Sequence, residues 1–158
     1  VGRMDKVACT KGCFIVDYAH TPDALEQVLI SLKPHCDGRL WVVFGCGGDR
    51  DKGKRPLMTQ VALRLADQVI LTADNPRTED PHAILLDMQA GMSQAQHNKT
   101  VVQPDRKAAI HYAVRQADAN DIVVIAGKGH ETYQEINGVR YDFDDRVMIA
   151  EALKLRQD

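Results

Sequence analysis

The sequence predicts an α/β fold: a doubly wound, mainly parallel sheet flanked by helices, with a C-terminal β-hairpin. Three observations predict it. Short apolar, β-branched runs alternate with segments of helical period through most of the chain, which calls for parallel strands joined by crossover helices. Several of those runs lack apolar/polar alternation, as strands covered on both faces do. The helical segments open with entry chemistry, a cap residue before proline or an acidic residue.

In chain order, Cys13-Phe14-Ile15-Val16-Asp17 is a first strand, and Thr21-Pro22 opens a helix to about Leu32. Leu40-Trp41-Val42-Val43-Phe44 is a second, followed by a helix from Arg55 to Leu65. Gln68 to Thr72 is a third; Asp80-Pro81 begins a helix expected to run to Ala95. A weaker strand, Lys99 to Val102, leads into a helix from Asp105 to Ala117, and Asp121 to Ala126 makes the fifth strand. Tyr133 to Ile136 and Val139 to Tyr141 flank Asn137-Gly138, which suits a two-residue hairpin turn. Asp144 or Asp145 can cap a last helix to Leu155. The arrangement is Rossmann-like, with no internal repeat and no linker, so residues 1–158 are expected to form a single domain.

With 44% hydrophobic and 27% charged residues the chain has the composition of a folded globular protein, which excludes disordered and low-complexity classes. Its 20 basic and 22 acidic residues give a net charge of -2, no basis for a nucleic-acid partner or an anionic membrane. No apolar run approaches the roughly 18 residues needed to cross a bilayer, and no signal peptide is evident; a cytoplasmic monomer is expected. Cys9, Cys13, Cys36 and Cys46 show neither a C-x-x-C pair nor zinc-finger spacing, so reduced thiols and no bound metal are expected. The opening Val1-Gly2-Arg3-Met4 reads as the middle of a longer sequence, so an excised domain is expected.

In open α/β sheets the chemistry sits just past the carboxyl ends of the strands. Four segments meet that condition: Asp17-Tyr18-Ala19-His20-Thr21-Pro22; the stretch from Gly45 to Pro56 containing Gly47-Gly48-Asp49-Arg50-Asp51; Asp74-Asn75-Pro76-Arg77; and Gly127-Lys128-Gly129-His130-Glu131. One composite polar site is the natural reading. The second segment holds Gly48, Gly53 and Lys54 at P-loop spacing, but Arg55 stands where a Walker A loop needs Ser or Thr for Mg²⁺. It remains suited to anion binding through its glycine amides and the helix behind it, or is a flexible charged loop in which Arg50 pairs with Asp49 or Asp51. Asp74-Asn75-Pro76-Arg77 can hold a zwitterionic amino-acid end, or be an Asn-Pro turn with a solvated arginine. Glu131 can receive an ammonium group, and His20 can meet a nucleotide or simply fix its loop. No Gly-x-Gly-x-x-Gly follows the first strand, which argues against a dinucleotide-dependent dehydrogenase.

Taken together these segments, with Gly2-Arg3-Met4, resemble the C-terminal domain of the Mur ligases, over essentially the whole chain. Within that family the likeness is to members that add meso-diaminopimelate to UDP-N-acetylmuramoyl-L-alanyl-D-glutamate in peptidoglycan synthesis, because Asp74-Asn75-Pro76-Arg77 is similar to their diaminopimelate recognition motif. The resemblance implies that Arg50, Asp74, Asn75, Pro76, Arg77, Gly127 and Glu131 bind diaminopimelate, and that Arg3, Asp17 and His20 face ATP. It also implies an ATP-dependent ligase using Mg²⁺, with the phosphate loop, metal ligands and UDP-sugar site on other domains and residues 1–10 as the junction. By itself such a domain would be inactive. Two other readings stay open: a stand-alone nucleotide or amino-acid binding module, and a domain like that of folylpolyglutamate synthetases.

Overall fold

The computed structural model describes residues 4–9 and 11–156. The predicted strands and crossovers are joined there by one strand that the sequence reading left out. The elements are β1 (Asp5–Cys9), β2 (Cys13–Asp17), α1 (Pro22–Leu32), β3 (Leu40–Phe44), α2 (Lys54–Leu65), β4 (Gln68–Leu71), α3 (Pro81–Met88), α4 (Gln94–Asn98), β5 (Thr100–Val102), α5 (Arg106–Gln116), β6 (Ile122–Ala126), β7 (Tyr133–Ile136), β8 (Val139–Asp142) and α6 (Asp145–Arg156). Six strands form one sheet in the order β1-β2-β6-β3-β4-β5, while β7 and β8 form a separate antiparallel hairpin. From β2 to β5 all neighbours are parallel; β1 runs antiparallel to β2 at the edge.

Both faces of the sheet are covered, and this is why the central strands read as unbroken apolar runs. Leu40, Val42 and Phe44 of β3 pack with Leu25 and Leu29 of α1, Met58 and Ala62 of α2, and Ile84 and Leu85 of α3. Trp41 and Val43, pointing the other way, pack with Ala109, Ile110 and Ala113 of α5 and Ile149 of α6. The pleat alternates between two cores, so every position is apolar. Caps close the helix starts: Thr21 Oγ1 accepts from Ala24 N at 3.2 Å, Asp80 from His82 N at 2.9 Å, and Asp105 from Lys107 N at 3.0 Å. At α6 it is Asp144 that accepts from the Arg146 amide.

Three expectations are corrected. Asp5–Cys9, expected as part of a junction, is drawn into the sheet because its backbone pairs with β2 from Asp5↔Val16 to Cys9↔Cys13. Cys9 and Cys13 thereby face each other, Cα atoms 4.1 Å apart, with their sulfurs bonded rather than free; Cys36 and Cys46 are thiols. The helix expected from Pro81 to Ala95 stops at Met88, the chain turns through Gly91 at φ +81°, and Ser93 restarts it as α4 with a reciprocal Ser93–Gln96 capping box. No helix of the described residues is long and apolar enough to cross a membrane.

Arg106 and Asp145, the first residues of α5 and α6, form an ion pair with both side chains fully buried, Nε to Oδ1 at 2.8 Å and Nη2 to Oδ2 at 2.7 Å. The same guanidinium donates to Ala73 O at 2.8 Å and Ala126 O at 3.4 Å, just past β4 and at the last residue of β6. Arg106→Met is expected to lower the free energy of unfolding by about 3–5 kcal/mol, because it leaves Asp145 charged in a dry site and strips both carbonyls of a donor. Urea unfolding with an unchanged m-value checks this; a loss within about 1 kcal/mol would mean that desolvation already cancels the pair.

Candidate functional site

All four sequence-predicted loops meet at the carboxyl edge of the sheet around one open cavity of about 350 Å³. Its lining includes His20 from the loop after β2, Gly47 and Arg50 after β3, Asp74, Asn75 and Arg77 after β4, and Gly127 and Glu131 after β6. The insertion of β6 between β2 and β3 brings the last loop beside the first two.

Arg77 is held before any ligand arrives. Its backbone has a left-handed φ of +53°, and two hydrogen bonds to the β7–β8 hairpin keep it there: Arg77 N to Glu135 O at 2.9 Å and Asn137 N to Arg77 O at 2.7 Å. A non-glycine residue persists in that conformation only when its surroundings over-determine it. Nη1 donates to Gly48 O at 3.0 Å, and Nε lies 3.8 Å from Glu135 Oε1. Among the described residues Nη2 has no partner, so one edge of the fork stays available to an anion. Pro76 is buried, its carbonyl accepting from Glu79 N at 3.0 Å. A Cβ on Gly48 would sit 1.8 Å from that carbonyl oxygen, so only glycine lets the two loops come together.

Two carboxylates line the same cavity. Asp74 is buried and Glu131 half-buried, and both face the ammonium of Lys128, which lies 3.6 Å from Asp74 Oδ1 and 3.7 Å from Glu131 Oε1. Asn75, 3% exposed, sits between, its Nδ2 3.4 Å from Glu131 Oε1. Gly127 takes φ +116° and would press a Cβ to within 2.5 Å of Asp74 Oδ2. Burial pulls Lys128 below the ordinary lysine value, with the Asp74 carboxylate opposing. Burial also pushes the Cys46 thiol in the cavity floor up to about 12, so it is unreactive at neutral pH.

The glycine-rich loop after β3 is no phosphate cradle. Gly48 N donates to Asn75 O, Asp49 N to Glu79 Oε1, Gly53 N to Asp51 Oδ1 and Lys54 N to Asp51 O, so these amides are consumed internally. Arg55, at the Walker serine position, is 1% exposed and binds Glu79 through both Nη atoms at 3.0 and 2.7 Å, Asp87 at 2.9 Å and Gly47 O at 3.0 Å. Asp49, with φ +56°, accepts from Thr78 Oγ1 at 2.7 Å. Arg50 therefore has no acidic partner among the described residues; it donates only to Asp49 O and projects from the cavity rim.

Asp17, at the end of β2, is 2% exposed and accepts from Met4 N at 2.6 Å and Ala19 N at 2.7 Å. It clamps the loop and leaves the surface to His20, whose Nδ1 lies 2.9 Å from Tyr18 O. Arg3 lies outside the described residues. His130 Nε2 meets Asp5 Oδ2 at 2.7 Å, tying the last loop to β1. Among the described residues no cluster of three or more His, Cys, Asp or Glu side chains could hold a metal. The sequence reading missed Lys128, Arg55, Glu79, Asp87 and Glu135 as parts of this site. The signal for Lys128 was its place in the Gly127–Glu131 segment, whereas Glu79, Asp87 and Glu135 come from distant segments and left none.

Residues 2–129 match the family described as Mur ligase, glutamate ligase domain. The UDP-N-acetylmuramoyl-L-alanyl-D-glutamate--2,6-diaminopimelate ligase of Pseudomonas putida is 54% identical over 154 residues, 97% of this chain and 31% of that protein. The ligase of the same name from Vibrio vulnificus is 52% identical over 147 residues, 92% of this chain and 29% of that protein. This chain thus spans about a third of the length of these relatives. A solved structure of a ligase with that name superposes on all of this chain and 32% of its own with a TM-score of 0.94 at 57% identity. A folylpolyglutamate synthase/dihydrofolate synthase solved with Mn, AMPPNP and L-glutamate bound covers 95% of this chain and 31% of its own at 20% identity and TM-score 0.65, a likeness of fold alone.

The hydrogen bond from Arg55 and then that from the Asp49 amide hold Glu79 down from the ordinary 4.5 to about 2. A carboxylate lowered in the folded state stabilises it above the unfolded value and gives that up as pH falls. Stability is expected to drop between about pH 4.5 and pH 2, and Glu79→Gln to flatten that part of the curve. Thermal midpoints against pH for both proteins check this; parallel curves would show that the Arg55–Glu79 clamp adds nothing in acid.

Proposed function

The chain belongs to the Mur ligase family, and on that premise we propose that it is the amino-acid-binding C-terminal domain of a ligase that adds meso-diaminopimelate to UDP-N-acetylmuramoyl-L-alanyl-D-glutamate. The observation that carries this is the polarity of the cavity. Donors from Arg77, Arg50 and the Asn75 amide and acceptors from Asp74 and Glu131 line the same cavity, which suits the carboxylate and ammonium of one amino-acid end.

Meso-diaminopimelate has two such ends. Held by one, it presents the amine of the other, uncharged, toward the remainder of the ligase. ATP supplies the chemistry there by passing its terminal phosphoryl group to the D-glutamate side-chain carboxylate with ADP leaving; the amine attacks that acyl carbon, the C–N bond forms, phosphate leaves and the amine nitrogen gives up a proton. This domain's part is orientation, which is worth several kcal/mol when it replaces a bimolecular encounter. The phosphate loop, the Mg²⁺ ligands and the UDP-sugar site belong on this reading to other domains. His20 on its surface loop, backed by Asp17, faces the nucleotide when the domains close, together with Arg3. The 158-residue domain alone turns over no ATP.

L-lysine lacks the distal carboxylate and would leave the free edge of the Arg77 fork without its partner, the kind of loss by which a site built to pair a group rejects an analogue without it. In the ligase that carries this chain, Arg77→Ala is expected to cost about 2–5 kcal/mol in kcat/KM for diaminopimelate and far less for L-lysine, so that the preference narrows. Arg77→Lys should rescue little, because a point charge does not reproduce the planar fork. Equal losses for both amino acids would show that Arg77 only supports its loop.

A further inference from the structure

Lys128 is the only lysine buried among the described residues, 0% exposed, and it stands behind the cavity. Its Nζ donates to Asn75 Oδ1 at 2.6 Å and to Tyr133 O at 2.9 Å. An ammonium has three donors, and the remaining one lies between Asp74 Oδ1 and Glu131 Oε1, 3.6 and 3.7 Å away. A second donor, Glu135 N, reaches the same Asn75 Oδ1 at 3.0 Å.

Two donors converging on one atom decide which end of the amide is oxygen. Flipping Asn75 would set its NH₂ against an ammonium and a backbone N–H in a buried site, and would take from both the acceptor they share. The Nδ2 end must therefore face Glu131 and the cavity, where one of its two hydrogens answers Glu131 and the other is left for a ligand acceptor. Lys128 also neutralises one of two neighbouring carboxylates. Asp74 and Glu131 together then present a net single negative charge, the complement of one ligand ammonium.

We infer that Lys128 is a positioning residue for the amino-acid subsite: it locks Asn75 with its N–H toward the ligand carboxylate and holds Asp74 and Glu131 as a single-charge seat for the ligand ammonium. It does this from behind the wall, without touching the ligand. The inference rests on reading the cavity as the diaminopimelate site.

Steady-state kinetics of the ligase that carries this chain test it. Lys128→Met is expected to raise KM for diaminopimelate at least about tenfold while KM for ATP moves less than about twofold. Because Lys128 acts through Asn75, adding Lys128→Met to Asn75→Ala should cost less than about threefold more. Asn75→Asp keeps a partner for Lys128, so its thermal midpoint should match or exceed that of wild type; it cannot donate, so kcat/KM for diaminopimelate should fall at least about 100-fold. Equal rises in both KM values, or full additivity of the two substitutions, overturn the inference. Should Lys128→Met fail to fold, Asn75→Asp decides: a lowered thermal midpoint or an unchanged KM for diaminopimelate overturns it. A wild-type ligase that joins no diaminopimelate sinks the reading of the site and this inference with it, whereas one that does, with either contrary result above, sinks the inference alone.

Discussion

The buried ion pair between Arg106 and Asp145 fixes the starts of two of the four loops at the carboxyl edge. It joins the first residues of two helices, and its spare N–H groups bind the carbonyls of Ala73 and Ala126. The next residues in the chain are Asp74 and Gly127, the first of the two loops that carry the cavity's carboxylates. Burying two charges costs several kcal/mol, offset here by bonds to both carboxylate oxygens and to both carbonyls. A planar guanidinium can make all four at fixed angles, which a lysine ammonium cannot. Fold and site therefore share one fastening.

The same device recurs above the sheet. Arg55 binds Glu79, Asp87 and the Gly47 carbonyl, and so joins the loop after β3 to the loop and helix after β4. The β7–β8 hairpin, outside the main sheet, supplies the two backbone bonds that hold Arg77 in a left-handed conformation. In each case charged or backbone groups hold the loops, while Arg50 and one edge of the Arg77 fork keep N–H groups without an acidic partner among the described residues. Preorganisation of this kind lets binding energy go into selecting a ligand rather than ordering the site.

The division of labour among like residues follows from burial. Arg50 and Arg55 are five positions apart, one in the loop after β3 and the other in the first turn of α2, yet one is a cavity-lining donor and the other a buried structural clamp. Asp49 and Asp51 flank Arg50 but satisfy Thr78 and Gly53. Which of these charges meets a ligand is settled by what stands opposite each, and in this loop the opposing groups come from α3 and from the chain just before it.

By itself the sequence determined the strand and helix order, the double covering of the sheet and the four loops past its carboxyl edge, because hydrophobic period, caps and turn residues are local properties. It also put Arg50, Asp74, Asn75, Arg77, Gly127 and Glu131 on those loops, where they line one cavity. Only the tertiary structure decided that Asp5–Cys9 joins the sheet, since a short edge strand with few buried positions earns its place through pairing with β2. The helix break at Gly91 was readable in the Ser93–Gln96 capping box, but an apolar run through Ile84, Leu85, Leu86 and Met88 masked it. The burial of Arg106, Lys128, Arg55 and Asp145, and the partners that go with it, were not legible. A charged residue in a helical or loop pattern reads as a solvated face, and its burial depends on partners as far away in sequence as Asn75 is from Lys128. Such partners converge only once the sheet order has been chosen, and sheet order is a property of packing rather than of any stretch of chain.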